Sequence, residues 1–283
     1  MKNILFDTDL GTDSDDIGAL SILCNLHKQH KINLLAVTSC ASTNEPVQAI
    51  RAIASCYDVD VPVGKSYVAY ADDDNHGAYA REIARQYPQF KQANVADAVR
   101  VLRQALLNGD VTFVTVGPLN NIAHLLSSGA DDISPLSGVE LFRQGVKEMY
   151  VMAGTFSNNW AEWNIAEDVE SMRFVSDNVT CPMTFIPFEL GIKVKTGANF
   201  LNGADSPMKL GYYTHNKGPR ESWDPITSYC ATVECLPTSP WGRITVDEQG
   251  ITKFVAGEGN RRYVLDTIDV DDVTQKLEEL MVI

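Results

Sequence analysis

The first sixteen residues constrain the fold of this chain more than any other stretch. An apolar strand is predicted at residues 3–6, and five aspartates follow within ten residues: Asp7, Asp9, Asp13, Asp15 and Asp16. Carboxylates this close repel one another unless a cation gathers them or water solvates them all. Because the acids follow a buried-type strand, where open α/β sheets place their ligand crevice, the pattern favours a cation site over an acidic surface turn.

The residue types in this stretch suit a hard divalent cation. Asp9 and the pair Asp15 and Asp16 supply carboxylate oxygens, and Gly11 lets the backbone turn tightly between them. An EF-hand does not fit, because a loop counted from Asp7 has threonine and glycine where that motif requires glycine and glutamate. The sequence therefore predicts a different kind of metal site.

Length and charge limit the class of protein. The chain has 283 residues, 45% of them hydrophobic, and no Pro/Gly/Ser-rich linker or repeat divides it, so we expect one α/β domain over residues 1–283. The net charge of −14 argues against nucleic-acid and anionic-membrane partners, which require basic patches. A small neutral substrate agrees better with this charge.

The N-terminus and the cysteines indicate a reducing compartment. The chain becomes acidic before a signal-peptide core could form, and no apolar run approaches membrane-spanning length, so we expect a cytoplasmic protein. The six cysteines show neither CxxC nor Cys/His metal spacing. They are interpreted as free thiols in apolar segments.

Strand and helix patterns alternate along the chain. Strands are predicted at residues 3–6, 33–39, 61–63, 111–116, 148–152 and 183–188, and helices at residues 17–26, 45–56, 94–107 and about 225–235. This order predicts an α/β fold with a mainly parallel open sheet and helices on both faces. Residues 211–219 are predicted as a loop, residues 242–265 as a small C-terminal β excursion, and residues 270–281 as a final helix.

Residues 7–20 carry a family resemblance. They read Asp-Thr-Asp-Leu-Gly-Thr-Asp-Ser-Asp-Asp-Ile-Gly-Ala-Leu, which resembles the N-terminal signature of the nucleoside hydrolases. The resemblance implies hydrolysis of the N-glycosidic bond of ribonucleosides, bound Ca²⁺, and a homo-oligomer, either dimer or tetramer. Two extra residues follow Gly11 relative to the shortest family pattern, so Asp13 could replace Asp15 or Asp16 in the site.

Two later segments extend the resemblance to the metal. Residues 115–123 read Thr-Val-Gly-Pro-Leu-Asn-Asn-Ile-Ala, which resembles a family segment whose backbone carbonyl binds the metal at the position of Val116. The alternative is an ordinary turn with Asn120 or Asn121 as a helix cap. Trp223 and Asp224 stand where the family typically has His-Asp, so Asp224 is expected to close the metal shell. Asp224 also fits a helix N-cap.

A third block predicts the sugar site. Residues 152–168 resemble the family's Met-Gly-Gly, Gly-Asn and Glu-Phe-Asn-Ile segments, which makes Asn159, Glu162 and Asn164 the predicted ribose ligands. Amides and a carboxylate suit hydroxyls, because a hydroxyl both donates and accepts hydrogen bonds. By resemblance, Asp15 also contacts the sugar.

Three further residues are predicted to contact the substrate. Either Thr43 or Asn44 could take the place of the family's substrate-facing asparagine, although both also suit a helix cap. His76, in an Asn-His-Gly segment, resembles the family's pocket-rim histidine. Trp223 replaces a histidine associated with leaving-group protonation. Because indole is not an acid near neutral pH, Trp223 could stack on the base, or it could simply pack at the start of a helix.

The resemblance implies a mechanism and leaves two rivals. Asp9, Asp16, Asp224 and the Val116 carbonyl are the predicted metal ligands, and Asp9 is the predicted general base on a metal-bound water. One rival is a haloacid dehalogenase-type phosphohydrolase with Asp7 as its nucleophile. The other is a non-catalytic nucleoside-binding relative, which the replacement of the histidine by Trp223 makes plausible.

Overall fold

The computed structural model describes residues 1–69 and 77–282, so the predicted contact His76 lies outside the described residues. The strands are, in chain order, β1 (Lys2–Thr8), β2 (Ile32–Ser39), β3 (Val63–Lys65), β4 (Ala96–Asp97), β5 (Val111–Thr115), β6 (Val146–Met152), β7 (Met183–Ile186), β8 (Lys195–Thr196), β9 (Arg220–Glu221), β10 (Gly242–Val246), β11 (Thr252–Ala256) and β12 (Arg261–Tyr263).

The helices lie between and after these strands. They are α1 (Asp15–Lys28), α2 (Glu45–Ser55), α3 (Ala78–Gln86), α4 (Ala98–Leu106), α5 (Asn120–Ser127), α6 (Gly138–Gly145), α7 (Trp163–Glu167), α8 (Val169–Asn178), α9 (Phe188–Gly191), α10 (Ala198–Asn202), α11 (Pro207–His215), α12 (Trp223–Thr232) and α13 (Val270–Met281). A short 3-10 turn occupies Pro88–Phe90.

The main sheet confirms the predicted fold class. Its strand order within the described residues is β11-β10-β12-β7-β6-β5-β1-β2-β3-β4, and every pairing is parallel except those of β10. β1 pairs with β2 on one side and with β5 on the other, so the chain changes direction across the sheet at β1. The carboxyl ends of strands at such a switch point diverge into a crevice, which is where ligands bind in open α/β sheets.

Hydrophobic clusters cover both faces of the sheet. One face packs against α1, α2, α3, α11, α12 and α13, and the other packs against α4, α5, α6 and α8. From Asp15 to Leu26, α1 is buried on all sides, because it lies between the sheet and the helices α12 and α13. The C-terminal helix is therefore part of the core around the first strand.

Some element predictions differ from the structure, among them the helix predicted at residues 94–107, which begins at Ala98 after β4. The strand predicted at residues 183–188 ends at Ile186, since Phe188 begins α9. Residues 211–215 belong to α11, whose start is stabilised by Ser206, so the predicted loop is wrong there. The strands of the predicted C-terminal excursion extend the main sheet, because β12 pairs in parallel with β7.

No helix in the described ranges has both the length and the apolar surface needed to cross a bilayer.

Candidate active site

The loop after β1 places Asp9 at the floor of the crevice. Gly11 adopts φ +133°, a backbone conformation that side chains disfavour, and this glycine turns the chain from the strand toward α1. The Tyr79 hydroxyl accepts the Gly11 amide at 2.7 Å and donates to the Asp13 carbonyl at 2.7 Å, which fixes the loop. Opposite Asp9, a Cβ on Gly117 would lie 2.9 Å from the Asp9 Oδ1, so a glycine is needed for this close approach.

Three buried carboxylates meet at the start of two helices. Asp15 and Asp16 open α1, Asp224 lies in the first turn of α12, and their oxygens lie within 4.8 Å of one another. The Asp224 amide donates to Asp15 Oδ2 at 3.0 Å. Ser222 occupies the N-cap position of α12, so the predicted N-cap role of Asp224 is wrong.

The Asp16 side chain leaves one oxygen without a protein partner. Thr8 accepts the Leu10 amide and donates its hydroxyl to Asp16 Oδ1, which orients the carboxylate. Asp16 Oδ2 is buried and has no hydrogen-bond partner among the described residues. A buried carboxylate oxygen that faces two more carboxylates needs either a proton or a cation to be stable.

Burial raises the pKa of every acid in this cluster. It lifts the pKa values of Asp15, Asp16 and Asp224 well above 3.8, and the repulsion between the carboxylates adds to the effect. The pKa of Asp9 is raised to about 7, again mainly by burial, although the Thr12 hydroxyl opposes the shift by donating at 2.9 Å. In the metal-free protein, ionisation of these four carboxyl groups is therefore unfavourable, because the charges are buried and repel one another.

We expect the free energy of unfolding of the metal-free protein to fall as pH rises from about 5 to about 7. Between its unfolded and its raised folded pKa, each of these carboxyls binds more protons in the folded state, so raising the pH favours unfolding. Urea denaturation in the presence of a chelator, repeated across this range, measures the slope. Asp16→Asn should make the fall shallower, and an unchanged slope in that variant would contradict the assignment.

The Val116 carbonyl, Glu162 and Asn164 form the opposite side of the crevice. The side-chain amide of Asn164 donates through Nδ2 to the Val116 carbonyl and to the Met152 carbonyl, at 3.1 Å each. Glu162 accepts the backbone amide of Gly154 at 3.2 Å and the backbone amide of Asn164 at 3.0 Å, and burial raises the pKa of Glu162 to about 7. These contacts fix the predicted backbone ligand and the predicted sugar ligands relative to one another.

Asp13 takes part in a different interaction from its neighbours. The Arg220 guanidinium donates to both Asp13 oxygens at 2.6–2.8 Å, and His215 Nε2 lies 3.4 Å from Asp13 Oδ1. The structure thus groups Asp15 and Asp16 with Asp224, whereas Asp13 is paired with Arg220 at the rim. This arrangement favours the register in which Asp13 replaces neither of them.

Trp223 forms part of an aromatic wall. Its indole N–H donates to the Phe188 carbonyl at 2.8 Å, and the two rings stack with centroids 5.5 Å apart. A Cβ on Gly191 would lie 2.1 Å from Trp223 Cδ1, so the indole fits against bare backbone. Only 9% of Trp223 is exposed, so its main contribution to the crevice is a rigid apolar surface.

These groups line one cavity of about 300 Å³, a size typical of small-ligand pockets. The predicted site residues that line it are Asp9, Asp15, Asp16, Val116, Glu162, Asn164, Trp223 and Asp224. Asn44 and Asn159 are exposed, and neither lines the cavity.

The cavity is also lined by residues that the sequence motifs did not indicate. Trp163, Phe188, His215 and Arg220 line it together with the predicted residues. Trp163 lies inside the third sequence block and could have been noticed there. His215 and Arg220 had no recognisable signal, because their position depends on how α11 and β9 pack against the loop after β1.

Asp7 lies behind the cavity. It is fully buried, and its Oδ1 accepts hydrogen bonds from Thr38 and, at 2.8 Å, from Asn121. Burial raises the pKa of Asp7 to about 6. The Asn121 side chain therefore joins the start of α5 to β1, and it does not cap α5.

The chain matches a known protein family over most of its length. The model of the family described as inosine-uridine preferring nucleoside hydrolase matches residues 4–273. An uncharacterized protein of Schizosaccharomyces pombe is 29% identical over 234 residues, which is 74% of this chain and 68% of that protein.

Solved structures share the fold. An inosine-guanosine nucleoside hydrolase superposes with a TM-score of 0.74 at 18% identity, covering 99% of both chains. The type III effector protein XopQ, complexed with adenosine diphosphate ribose, superposes with a TM-score of 0.76 at 14% identity, covering 99% of this chain and 93% of that chain. At these identities, the superpositions concern the fold alone.

Proposed function

Because the chain belongs to the inosine-uridine preferring nucleoside hydrolase family, we propose that it hydrolyses the N-glycosidic bond of ribonucleosides with calcium as its cofactor and Asp9 as its general base. The observation that carries this proposal is the convergence of Asp15, Asp16 and Asp224 at the floor of a cavity that Asp9, Glu162 and Asn164 also line. The cavity thus combines a cation-type floor with side chains suited to a sugar.

The residues present fit a calcium ion. Asp16 has a buried oxygen without a partner, and the cluster consists of hard oxygen donors, which calcium prefers over nitrogen or sulfur. Asp9, Asp16, Asp224 and the Val116 carbonyl would hold the ion, with sugar hydroxyls and water as further ligands. When bound, calcium would offset the repulsion between the carboxylates and acidify an attacking water.

Asp9 is suited to take the proton of the attacking water. Burial and neighbouring carboxylates raise the pKa of Asp9 to about 7 in the metal-free protein, and bound calcium would lower it, so Asp9 would be ionised and able to accept a proton near neutral pH. The Thr12 hydroxyl and the close approach of Gly117 hold the carboxylate in one orientation. In this role Asp9 needs to be ionised, so activity should decline in acid.

Glu162, Asn164 and Asp15 are the proposed sugar contacts. The Glu162 oxygens accept backbone amides and still face the cavity, where they could accept ribose hydroxyl protons. Their negative charge would also stabilise the positive charge that develops on the sugar as the glycosidic bond breaks. Asn44 and Asn159 are not included, since neither lines the cavity in this structure.

Trp223 and Phe188 are the proposed contacts of the nucleobase. Their stacked rings form an apolar wall beside the acidic floor, and an aromatic face suits a planar base. Because the indole N–H of Trp223 already donates to a carbonyl, Trp223 would not protonate the base. The wall therefore binds the leaving group without activating it.

The geometry does not favour the phosphohydrolase. A phosphohydrolase of this type needs Asp7 as an accessible nucleophile, but Asp7 is fully buried and does not line the cavity. The cationic side chain on the cavity wall, Arg220, is paired with Asp13, and the acidic floor would repel a phosphate. Hydrolysis of 4-nitrophenyl phosphate at a rate above that of any nucleoside would instead identify the protein as a phosphohydrolase.

Ribose release from a panel of five nucleosides tests the proposed function. Inosine, guanosine, adenosine, uridine and cytidine are incubated with the protein in calcium, and again after a chelator has been added. We expect ribose release that the chelator abolishes and added calcium restores. Calcium-dependent nucleoside binding without ribose release would instead identify a non-catalytic relative.

A further inference from the structure

Cleavage of a nucleoside needs a proton donor for the departing base, and the groups assigned above do not supply one. The electron pair of the broken C1′–N bond passes to the nucleobase, whose anion is a poor leaving group unless a proton reaches a ring nitrogen as the bond breaks. Asp9 accepts a proton in the proposed reaction, so it cannot also supply this one. The inference that follows rests on the proposed function.

Most polar groups on the cavity wall are unsuited to donate this proton. The Trp223 N–H is held by the Phe188 carbonyl, and the Arg220 guanidinium cannot be deprotonated under ordinary conditions. Burial raises the pKa of Glu162 to about 7 against the opposing effect of the backbone amides on both of its oxygens, but this carboxyl is already assigned to the sugar hydroxyls. These groups bind or orient.

His215 is the histidine among the described residues that line the cavity. It ends α11, and its side chain is only 25% exposed. Its Nε2 lies 3.4 Å from Asp13 Oδ1, and Arg220 holds that carboxylate through both oxygens. The imidazole also packs edge-on against the Tyr79 ring, with centroids 6.1 Å apart. His215 is thus fixed from two sides at the mouth of the acidic cavity.

The charges around His215 set its protonation. Burial is the largest influence and lowers the pKa of His215 below 6.5, and Arg220 lowers it further, whereas Asp13 and Glu221 raise it. The imidazolium is therefore a stronger acid than a free histidine, although it is less populated at neutral pH. Contact with Asp13 stabilises this charged form in a geometry that leaves the ring beside the cavity.

We propose that His215 is a catalytic residue that protonates the departing nucleobase, with Asp13 and Arg220 as positioning residues. As the C1′–N bond breaks, the imidazolium transfers its proton to a ring nitrogen of the base and becomes neutral imidazole. Water adds to C1′ and loses its proton to Asp9, so that nucleoside and water give ribose and neutral base. His215 then regains a proton from solvent, and Asp9 returns the proton it accepted to solvent.

Two substrates separate this role from a structural one. Wild-type protein and His215→Gln are assayed in calcium with the fastest-cleaved nucleoside of the panel and with 4-nitrophenyl β-D-ribofuranoside, whose nitrophenolate leaves as a stable anion. The variant should lower kcat/KM for the nucleoside by about 100-fold or more, mainly through kcat, and should change the nitrophenyl riboside only slightly. His124→Gln, a histidine of α5 that does not line the cavity, is the matched control.

The pH dependence adds a second readout. The ratio of nucleoside to nitrophenyl riboside kcat/KM cancels effects on the shared floor of the cavity. Above the pKa of His215, this ratio should fall by about tenfold per pH unit in the wild type, because the imidazolium is titrated away. In His215→Gln the ratio should be low and flat.

The outcomes are distinct. The role of His215 would be overturned if His215→Gln lost activity equally on both substrates or kept the wild-type nucleoside rate. It would also be overturned if the ratio still fell with pH in His215→Gln, because solvent would then supply the proton. Wild-type cleavage of the nitrophenyl riboside alone would overturn it too. Cleavage of neither substrate by the wild type would instead overturn the proposed function.

Discussion

Asparagine in place of Asp9 is expected to lower kcat for the fastest-cleaved nucleoside by about 100- to 10,000-fold, the usual contribution of a general base. The substitution keeps the size of the side chain and an oxygen that can accept the Thr12 hydroxyl. It removes the only carboxylate that this mechanism assigns to the attacking water. Steady-state kinetics in calcium measure the effect, and KM should change much less than kcat.

The same substitution at Asp60 is the matched control. The Asp60 side chain is 97% exposed and lies outside the cavity, so Asp60→Asn should retain wild-type kcat. Because Asp9 is also a predicted metal ligand, the Asp9→Asn assay needs a calcium titration. If saturating calcium restored full kcat to Asp9→Asn, the role of this residue would be confined to the metal and another base would be required.

Asp16→Asn is expected to abolish nucleoside hydrolysis and calcium binding together. In the metal-free protein, however, the substitution should be stabilising, because it removes one of the repelling buried charges while an amide oxygen still accepts the Thr8 hydroxyl. A substitution of a residue that only packs is not expected to raise stability and abolish activity together. This opposite pair of effects distinguishes a metal ligand from a residue that only packs.

Thermal unfolding with and without calcium measures both effects. Wild-type protein should gain Tm as calcium is added, since a ligand that binds only the folded state stabilises it. Asp16→Asn should start from a higher Tm in chelator and gain nothing from calcium. Asp97→Asn, at the half-buried N-cap of α4, is the control for changing an aspartate at a helix N-terminus. A calcium-dependent Tm shift in Asp16→Asn equal to that of the wild type would remove Asp16 from the metal site.

Much of the fold could be predicted from the sequence. Apolar runs such as residues 33–39 and 111–116 correspond closely to β2 and β5, and the amphipathic pattern at residues 270–281 coincides with α13. These predictions succeed because hydrophobic periodicity is a local property. The start of α11 had a local signal as well, in Ser206 before Pro207, and reading it would have corrected the loop predicted at residues 211–219.

The candidate site could be predicted only in part. Asp9, Glu162 and Asn164 lie in long motifs, and all three line the cavity. Asn44 and Asn159 come from similar motifs but are exposed, because a motif indicates that a loop is near the site and does not fix which side chains turn inward. The role of Asp13 was open in the sequence, and its pairing with Arg220 became visible only in three dimensions.

The sequence by itself determined the order of strands and helices, the acidic composition of the first loop, and the family that these motifs resemble. The tertiary structure alone decided that Asp15 meets Asp224, 209 residues away, and that Trp223 places its N–H on a carbonyl while His215 reaches the cavity. The physical reason is that periodicity and motif spacing report on neighbours along the chain. The direction of a buried side chain is set by packing between distant elements.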